Sequence, residues 1–173
     1  MDLRYPVGQF SFSGVLSRAS RDVLIDEISV TPEKMRAAVA GLSNEQLDTP
    51  YRPGGWTVRH VVHHVPESHL NSYIRFKLAI TEDEPIIKPY FEDRWAQLPD
   101  ALVSPIGPSL DLLDALHRRW VWLLRSLKDE DFDRTFQHPE LGVVSLNKNV
   151  ALYAWHGRHH VAHITTLRDR MGW

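Results

Sequence analysis

Apolar and polar positions follow a helical period over four long stretches of the chain. The first extends over about Arg21–Ala40, and the second begins at Thr57, a good N-cap, and continues to about Ile80. The third starts near Ser109, and the fourth runs from near Ser145 to about Met171. The third has the clearest core-facing stripe, with apolar residues at Leu113, Leu116, Trp120, Leu123, Leu124 and Leu127. These patterns predict four long helices.

The connections between these stretches are long and irregular. Residues 1–19 are expected to form an arm, residues 49–55 a loop, and the proline-rich segment 82–108 a connection with one short helix around Trp95. Residues 131–144 are expected to form a loop or a short hairpin. Pro32 and Pro66 should kink or divide the first and second helices, because proline lacks a backbone donor. The prediction is an all-α fold, a four-helix bundle with long irregular connections, in one domain over residues 1–173.

Composition and charge limit the classes of partner and ligand that are expected. The net charge of −2 gives no reason to expect a nucleic acid or an anionic membrane as partner. Since the chain has no cysteine, it offers no thiolate ligand, and any thiol in a reaction must come from the substrate. Neither a signal peptide nor a membrane-spanning run is recognised, so a cytoplasmic location is expected.

The distribution of histidine is the strongest chemical signal. Eight of the ten histidines lie in two short windows on the second and fourth predicted helices: His60, His63, His64 and His69, then His156, His159, His160 and His163. Adjacent helices of a bundle can bring two such windows face to face and create a metal site. The remaining two, His117 and His138, are expected to be ordinary surface or core residues.

Helical spacing selects a pair on the fourth helix. His156 and His160 are four residues apart, so their imidazoles lie one above the other and can chelate one ion. His159 and His163 have the same spacing, but His159 lies towards the edge of the apolar face. This favours His156 with His160, and leaves His163 as a group that hydrogen-bonds to a ligand or contacts substrate.

On the second predicted helix, the spacing does not single out one histidine as a metal ligand. His64 lies beside the valine-rich buried side and has a modest lead, while His60, His63 and His69 stay open. Trp56 is expected in the core or in a pocket wall, where it could contact substrate. No phosphate-binding loop or nucleophile elbow competes with the metal site.

Two segments carry a resemblance to a known family. Tyr51–His64 resembles a signature of the DinB-like metal-binding superfamily, in which a Gly-Trp-Ser/Thr turn opens the second helix and a metal histidine follows the tryptophan by eight residues. Trp155–Ile164 resembles the second signature, His-x-x-His-His, with ligands at its first and last positions. The resemblance implies the ligands His64, His156 and His160.

The chain is most similar to one branch, the YfiT-like proteins assigned as metal-dependent hydrolases and related to bacillithiol S-transferases. This implies one zinc or nickel ion per subunit and a homodimer. His60 departs from the branch by standing where many members carry Glu or Gln, which puts the helix cap in question.

Three imidazoles leave an ion with an open position, which is typical of catalytic sites. His63, Glu67 and His163 are near enough in sequence to be tried as a fourth ligand, but water or substrate is expected there. The expected function is thiol S-transfer of the bacillithiol type, or hydrolysis, on a small molecule. The alternative is a non-catalytic metal-binding or sensor module. No catalytic residue is assigned.

Overall fold

Four long helices and a small hairpin make up the frame of the molecule. The computed structural model describes residues 2–173. In chain order its elements are α1 (Arg18–Val39), α2 (Asn44–Leu47), α3 (Val58–Thr81), α4 (Glu92–Trp95), α5 (Pro99–Val103), α6 (Gly107–Ser126), a 3₁₀ turn (Asp129–Asp133), β1 (Thr135–His138), β2 (Gly142–Ser145) and α7 (Leu146–Met171).

Side-chain caps fix where three of the long helices begin. Ser17, Thr57 and Ser145 each accept a hydrogen bond from the backbone three residues ahead. At α3 the cap is reciprocal, because the backbone N–H of Thr57 donates to His60 Nδ1 at 3.2 Å. His60 therefore accepts the hydrogen bond that a Glu or Gln side chain usually accepts in such a capping box. The cap is intact although His60 differs from the residue that many family members have at this position.

The four long helices form a bundle in which α1 packs on α6 and α7, and α3 packs on the same two helices. The buried side chains form two clusters, one around Phe76, Trp120 and Phe136 and one around Met35, Val62 and Leu113. The predicted four-helix bundle is confirmed. Because α3 and α7 are neighbours, their histidine-rich segments can meet inside it.

Of the two expected effects of the prolines, a kink or a division, the structure shows no division of either helix. Pro32 lies inside α1 and Pro66 inside α3, and each helix continues through its proline. Both prolines belong to buried or partly buried faces, so packing against the neighbouring helices holds the segments helical despite one missing backbone donor.

The segment 131–144, for which a loop or a hairpin was expected, contains a two-stranded antiparallel hairpin. Phe136 pairs with Val144, and both side chains are buried in the core. The fold is therefore mainly helical with one small hairpin rather than wholly helical. The hairpin contacts α3 and α7, and it brings His138 beside α3. Within residues 2–173, no helix combines the length and apolarity needed to cross a bilayer.

Candidate metal centre

Three histidines from α3 and α7 converge inside the bundle. His64, His156 and His160 each present a ring nitrogen within 4.8 Å of the others. The Nε2 atoms of His64 and His156 are 3.3 Å apart. His156 and His160 are one turn apart on α7, with ring centroids separated by 4.4 Å. The helical spacing on α7 thus places His156 next to His160, and the packing of α3 against α7 brings His64 to them.

Burial keeps these imidazoles neutral. It lowers the pKa of His64 from 6.5 to about 3, with a smaller contribution from His159. Burial, followed by repulsion from the neighbouring histidines, also holds the pKa values of His156 and His160 well below the ordinary value. Neutral imidazoles are the form that binds a metal ion.

A chain of hydrogen bonds fixes the tautomer of His156. The carbonyl oxygen of Ile28 can only accept, so His117 donates to it through Nδ1–H at 2.7 Å. Neutral His117 then accepts at Nε2 from His69 Nδ1–H, at 2.8 Å. His69 in turn accepts at Nε2 from His156 Nδ1–H, at 3.1 Å. The lone pair of His156 is therefore on Nε2, the nitrogen that faces His64.

The donor set fits one divalent ion. Two nitrogens that each lie about 2.0–2.1 Å from a tetrahedral zinc ion are about 3.3 Å apart, which is the separation of the Nε2 atoms of His64 and His156. His160 brings a third imidazole to the same point, and its buried Nδ1 has no hydrogen-bond partner among the described residues. Among residues 2–173 this is the one cluster of three or more histidine or carboxylate side chains with the geometry for an ion.

The cluster forms part of the wall of a cavity of about 370 Å³. Trp56 lines this cavity and contacts His64 edge-on, with ring centroids 4.7 Å apart. Tyr90 also lines it, with its hydroxyl 3.5 Å from His64 Nδ1. Burial raises the pKa of the Tyr90 phenol, so that group stays protonated. The remaining lining residues are Ser68, Arg75, Pro89, Glu92, His138, Glu140 and Leu141.

His163 lies next to the cluster but outside the cavity lining. Its ring stacks on Tyr51 with centroids 3.9 Å apart, and its Nε2 donates to the carbonyl of Arg4 at 3.2 Å. His163 therefore contacts the N-terminal arm. Of the two residues expected to touch a ligand or substrate, Trp56 is placed at the cavity and His163 is not.

The other candidates for ligation have different contacts. His63 Nδ1 is 2.7 Å from Ser109 Oγ, which ties α3 to α6. His159 stacks on Trp155, with centroids 4.4 Å apart. Glu67 is not part of the histidine cluster, and burial raises its carboxyl pKa to about 7.

Two histidines for which no role was expected lie near the site. His138 lines the cavity, and His117 lies behind the cluster, connected to His156 through His69. His117 comes from α6, and no spacing within the chain relates it to the α3 and α7 windows. Arg75 was also missed, although a local signal existed: it is eleven residues from His64, about three helical turns, and so shares its face.

Known proteins have a similar sequence, and one of them also has the same fold. A model of the DinB superfamily matches residues 27–164. Relatives from Bacillus mycoides (strain KBAB4) and Bacillus cereus (strain B4264) are each 56% identical over 99% of this chain and 99% of their own, and both are named as inferred metal-dependent hydrolases.

Among solved structures, YfiT from Bacillus subtilis is described as a probable metal-dependent hydrolase with an unusual four-helix bundle topology. It is 47% identical over 100% of this chain and 99% of its own, with a TM-score of 0.97. A second four-helix bundle protein is 18% identical over 88% of this chain and 99% of its own, with a TM-score of 0.55, and shares the fold. The matched signatures, bundle and three-histidine cluster agree, and the chain belongs to the DinB superfamily.

Proposed function

We propose that this protein is an enzyme in which His64, His156 and His160 hold one divalent ion, zinc or nickel, that acts on a small molecule. The observation that carries the proposal is the convergence of three neutral imidazoles on one wall of a cavity. The cavity volume of about 370 Å³ is in the range of small-molecule sites. Exposed side chains, Glu92 and Glu140, contribute to the lining, so the cavity communicates with solvent.

The cavity favours an enzyme over a binding or sensor module. A structural zinc site is usually closed by four protein ligands, whereas catalytic sites keep a position for water or substrate. Of the described residues, three side chains form the cluster, and Ser68, Trp56 and Tyr90 line the space beside it. These side chains can exclude water and orient a substrate, and the protonated Tyr90 hydroxyl can donate a hydrogen bond to it.

Two reactions use such a site. A bound ion acts as a Lewis acid that lowers the pKa of water, which serves hydrolysis, or stabilises a thiolate, which serves thiol transfer. Hydrolysis is supported by the names of the Bacillus relatives. Thiol transfer is supported by the resemblance of the chain to a branch related to bacillithiol S-transferases.

The test is metal analysis of the purified protein followed by a panel of assays with the metal found. Ester and amide substrates would report hydrolysis, and a low-molecular-weight thiol with an electrophile would report transfer. His160→Ala should abolish activity, whereas His63→Ala, which removes a buried histidine outside the cluster, should retain it. Equal activity of His160→Ala and the wild type would refute the proposal.

A homodimer stays a prediction based on the family resemblance and on tryptophans outside the core. Trp122 on α6 is 75% exposed and borders a second cavity between α1 and α6, which is compatible with a subunit contact. Light scattering at micromolar concentration should give twice the chain mass of 20.0 kDa, and a monomeric mass would refute the prediction.

A further inference from the structure

Arg75 is a buried cation in the wall of the cavity. It lies on α3, its exposed fraction is 9%, and it lines the same space as His64. Neither a hydrogen bond nor an ion pair connects its guanidinium to another residue in the range 2–173. By contrast, the buried guanidiniums of Arg21 and Arg59 are each paired with an aspartate. Arg75 is therefore exceptional among the buried arginines of the described chain.

The two carboxylates that line the cavity do not neutralise Arg75. Glu92 and Glu140 are both exposed, and neither forms an ion pair with it within 4.0 Å. A charge that is nine-tenths buried and has no partner is destabilising, and an anion bound in the cavity would supply that partner. The guanidinium fork matches a carboxylate or a phosphate in a two-bond geometry.

His138 adds a second donor at this end of the cavity. Its Nδ1 accepts from the backbone N–H groups of Glu140 and Leu141, at 3.2 and 3.4 Å. The proton of the neutral ring is therefore on Nε2, which has no hydrogen-bond partner among the described residues. Burial and the charge of Arg75 lower the pKa of His138, while Glu140 raises it. Together, a cation and a neutral N–H donor favour a ligand group that only accepts hydrogen bonds, such as a carboxylate or a phosphate.

We infer that Arg75, assisted by His138, binds an anionic oxyacid group of the substrate, a carboxylate or a phosphate, while the reacting group lies at the three histidines. This inference rests on the proposed function and narrows it to anionic small molecules. The Cα atoms of His64 and Arg75 are separated by about 16 Å along α3, and both side chains tilt towards the start of the helix. The two groups of the substrate must therefore be joined by a spacer.

Thiol probes of graded length test the inference. Cobalt-loaded protein would be titrated with ω-mercaptoalkanoates, with thiols ending in a phosphate, and with the matching ω-mercaptoalcohols. Thiolate-to-cobalt absorption would report the dissociation constant Kd. At the best spacer length, an acid probe should bind at least about ten-fold more tightly than the alcohol. Whichever of the carboxylate and phosphate series binds more tightly identifies the anionic group.

Substitutions of Arg75 test whether this residue causes the tighter binding of the acid probes. Arg75→Gln should remove the advantage of the acid probes without changing the Kd of the alcohols, and Arg75→Lys should keep part of it. Lys77→Gln is the matched control, since it removes one positive charge from an exposed position of the same helix and should change neither Kd. Equal preference for acids in the wild type and Arg75→Gln would overturn the inference.

A second readout separates this inference from the proposed metal chemistry. In the protein as purified, glutarate or inorganic phosphate should shift the ¹⁵N signal of the Arg75 Nε–H group, with no need for a thiol. If the protein binds no cobalt but these anions shift Arg75, the proposed function fails and the anion site stands. If cobalt binds all thiols alike and neither anion shifts Arg75, the anion site is refuted and the proposed function stands.

Discussion

His69 Nε2 lies 3.1 Å from His156 Nδ1, and the direction of this hydrogen bond is set from the far side of the bundle. His69 can accept there because its own Nδ1 proton is given to His117, which is anchored on the carbonyl of Ile28. The contact therefore links α7, α3, α6 and α1 in one chain of hydrogen bonds. It leaves the Nε2 lone pair of His156 free to bind an ion.

Removal of the His69 acceptor should weaken metal binding. In His69→Phe the N–H of His156 loses its partner, and we expect the metal affinity to fall roughly 10–100-fold. Competition with a chromophoric chelator measures this. His63→Phe makes the same change at a buried histidine of α3 that contacts Ser109 instead, and should retain the affinity. Wild-type affinity in His69→Phe would show that the hydrogen bond does not support the ligand.

The stability of the metal-free protein should decline in mild acid. Burial lowers the pKa of His117 from 6.5 to about 4. Between these values the unfolded chain binds the proton and the folded chain does not, so the free energy of unfolding falls as the pH falls. His117 alone contributes up to about 3 kcal/mol to this loss. Urea denaturation in the presence of a chelator, at pH 7 down to pH 4, measures it.

The matched variant is His117→Phe, whose unfolding free energy should depend less steeply on pH over the same range. If the wild type and this variant have parallel pH profiles, His117 does not titrate as described.

Gly157 allows α7 to approach α1 beside His156. A Cβ at this position would lie 2.7 Å from Thr31 Oγ1 and 2.9 Å from its Cγ2. Gly157→Ala should gain about 1 kcal/mol of helix propensity but lose about 1–3 kcal/mol to overpacking, so the melting temperature should fall. In a Thr31→Ala background the same change should become neutral or stabilising. A loss of stability that is equal in both backgrounds would exclude this contact as its cause.

His60 is predicted to act as a cap and not as a ligand. His60→Ala removes the acceptor of the Thr57 N–H and should lower the free energy of unfolding by about 0.5–1.5 kcal/mol. His60→Gln should restore most of it, since glutamine completes the same capping box. Calorimetry measures the stability, and elemental analysis should find unchanged metal content in both variants. Loss of metal from His60→Ala alone would contradict the assignment.

The sequence predicted what local periodicity determines. The four helices and the pairing of His156 with His160 follow from spacings within one helix, and the turn before His64 carries a family signature. The participation of His117 could not be predicted, because it depends on the packing of α6 against α3. The helices also continue through Pro32 and Pro66, since tertiary packing compensates for a missing backbone donor.

The central claim is that three histidines bind one ion and leave a position for chemistry. X-ray absorption at the metal edge of the reconstituted protein tests it most directly. We expect three imidazole nitrogens at about 2.0–2.1 Å for zinc, with at least one further light atom from solvent that a substrate or thiol replaces. A shell of four or more protein ligands without solvent, or an unchanged spectrum in His160→Ala, would contradict this account.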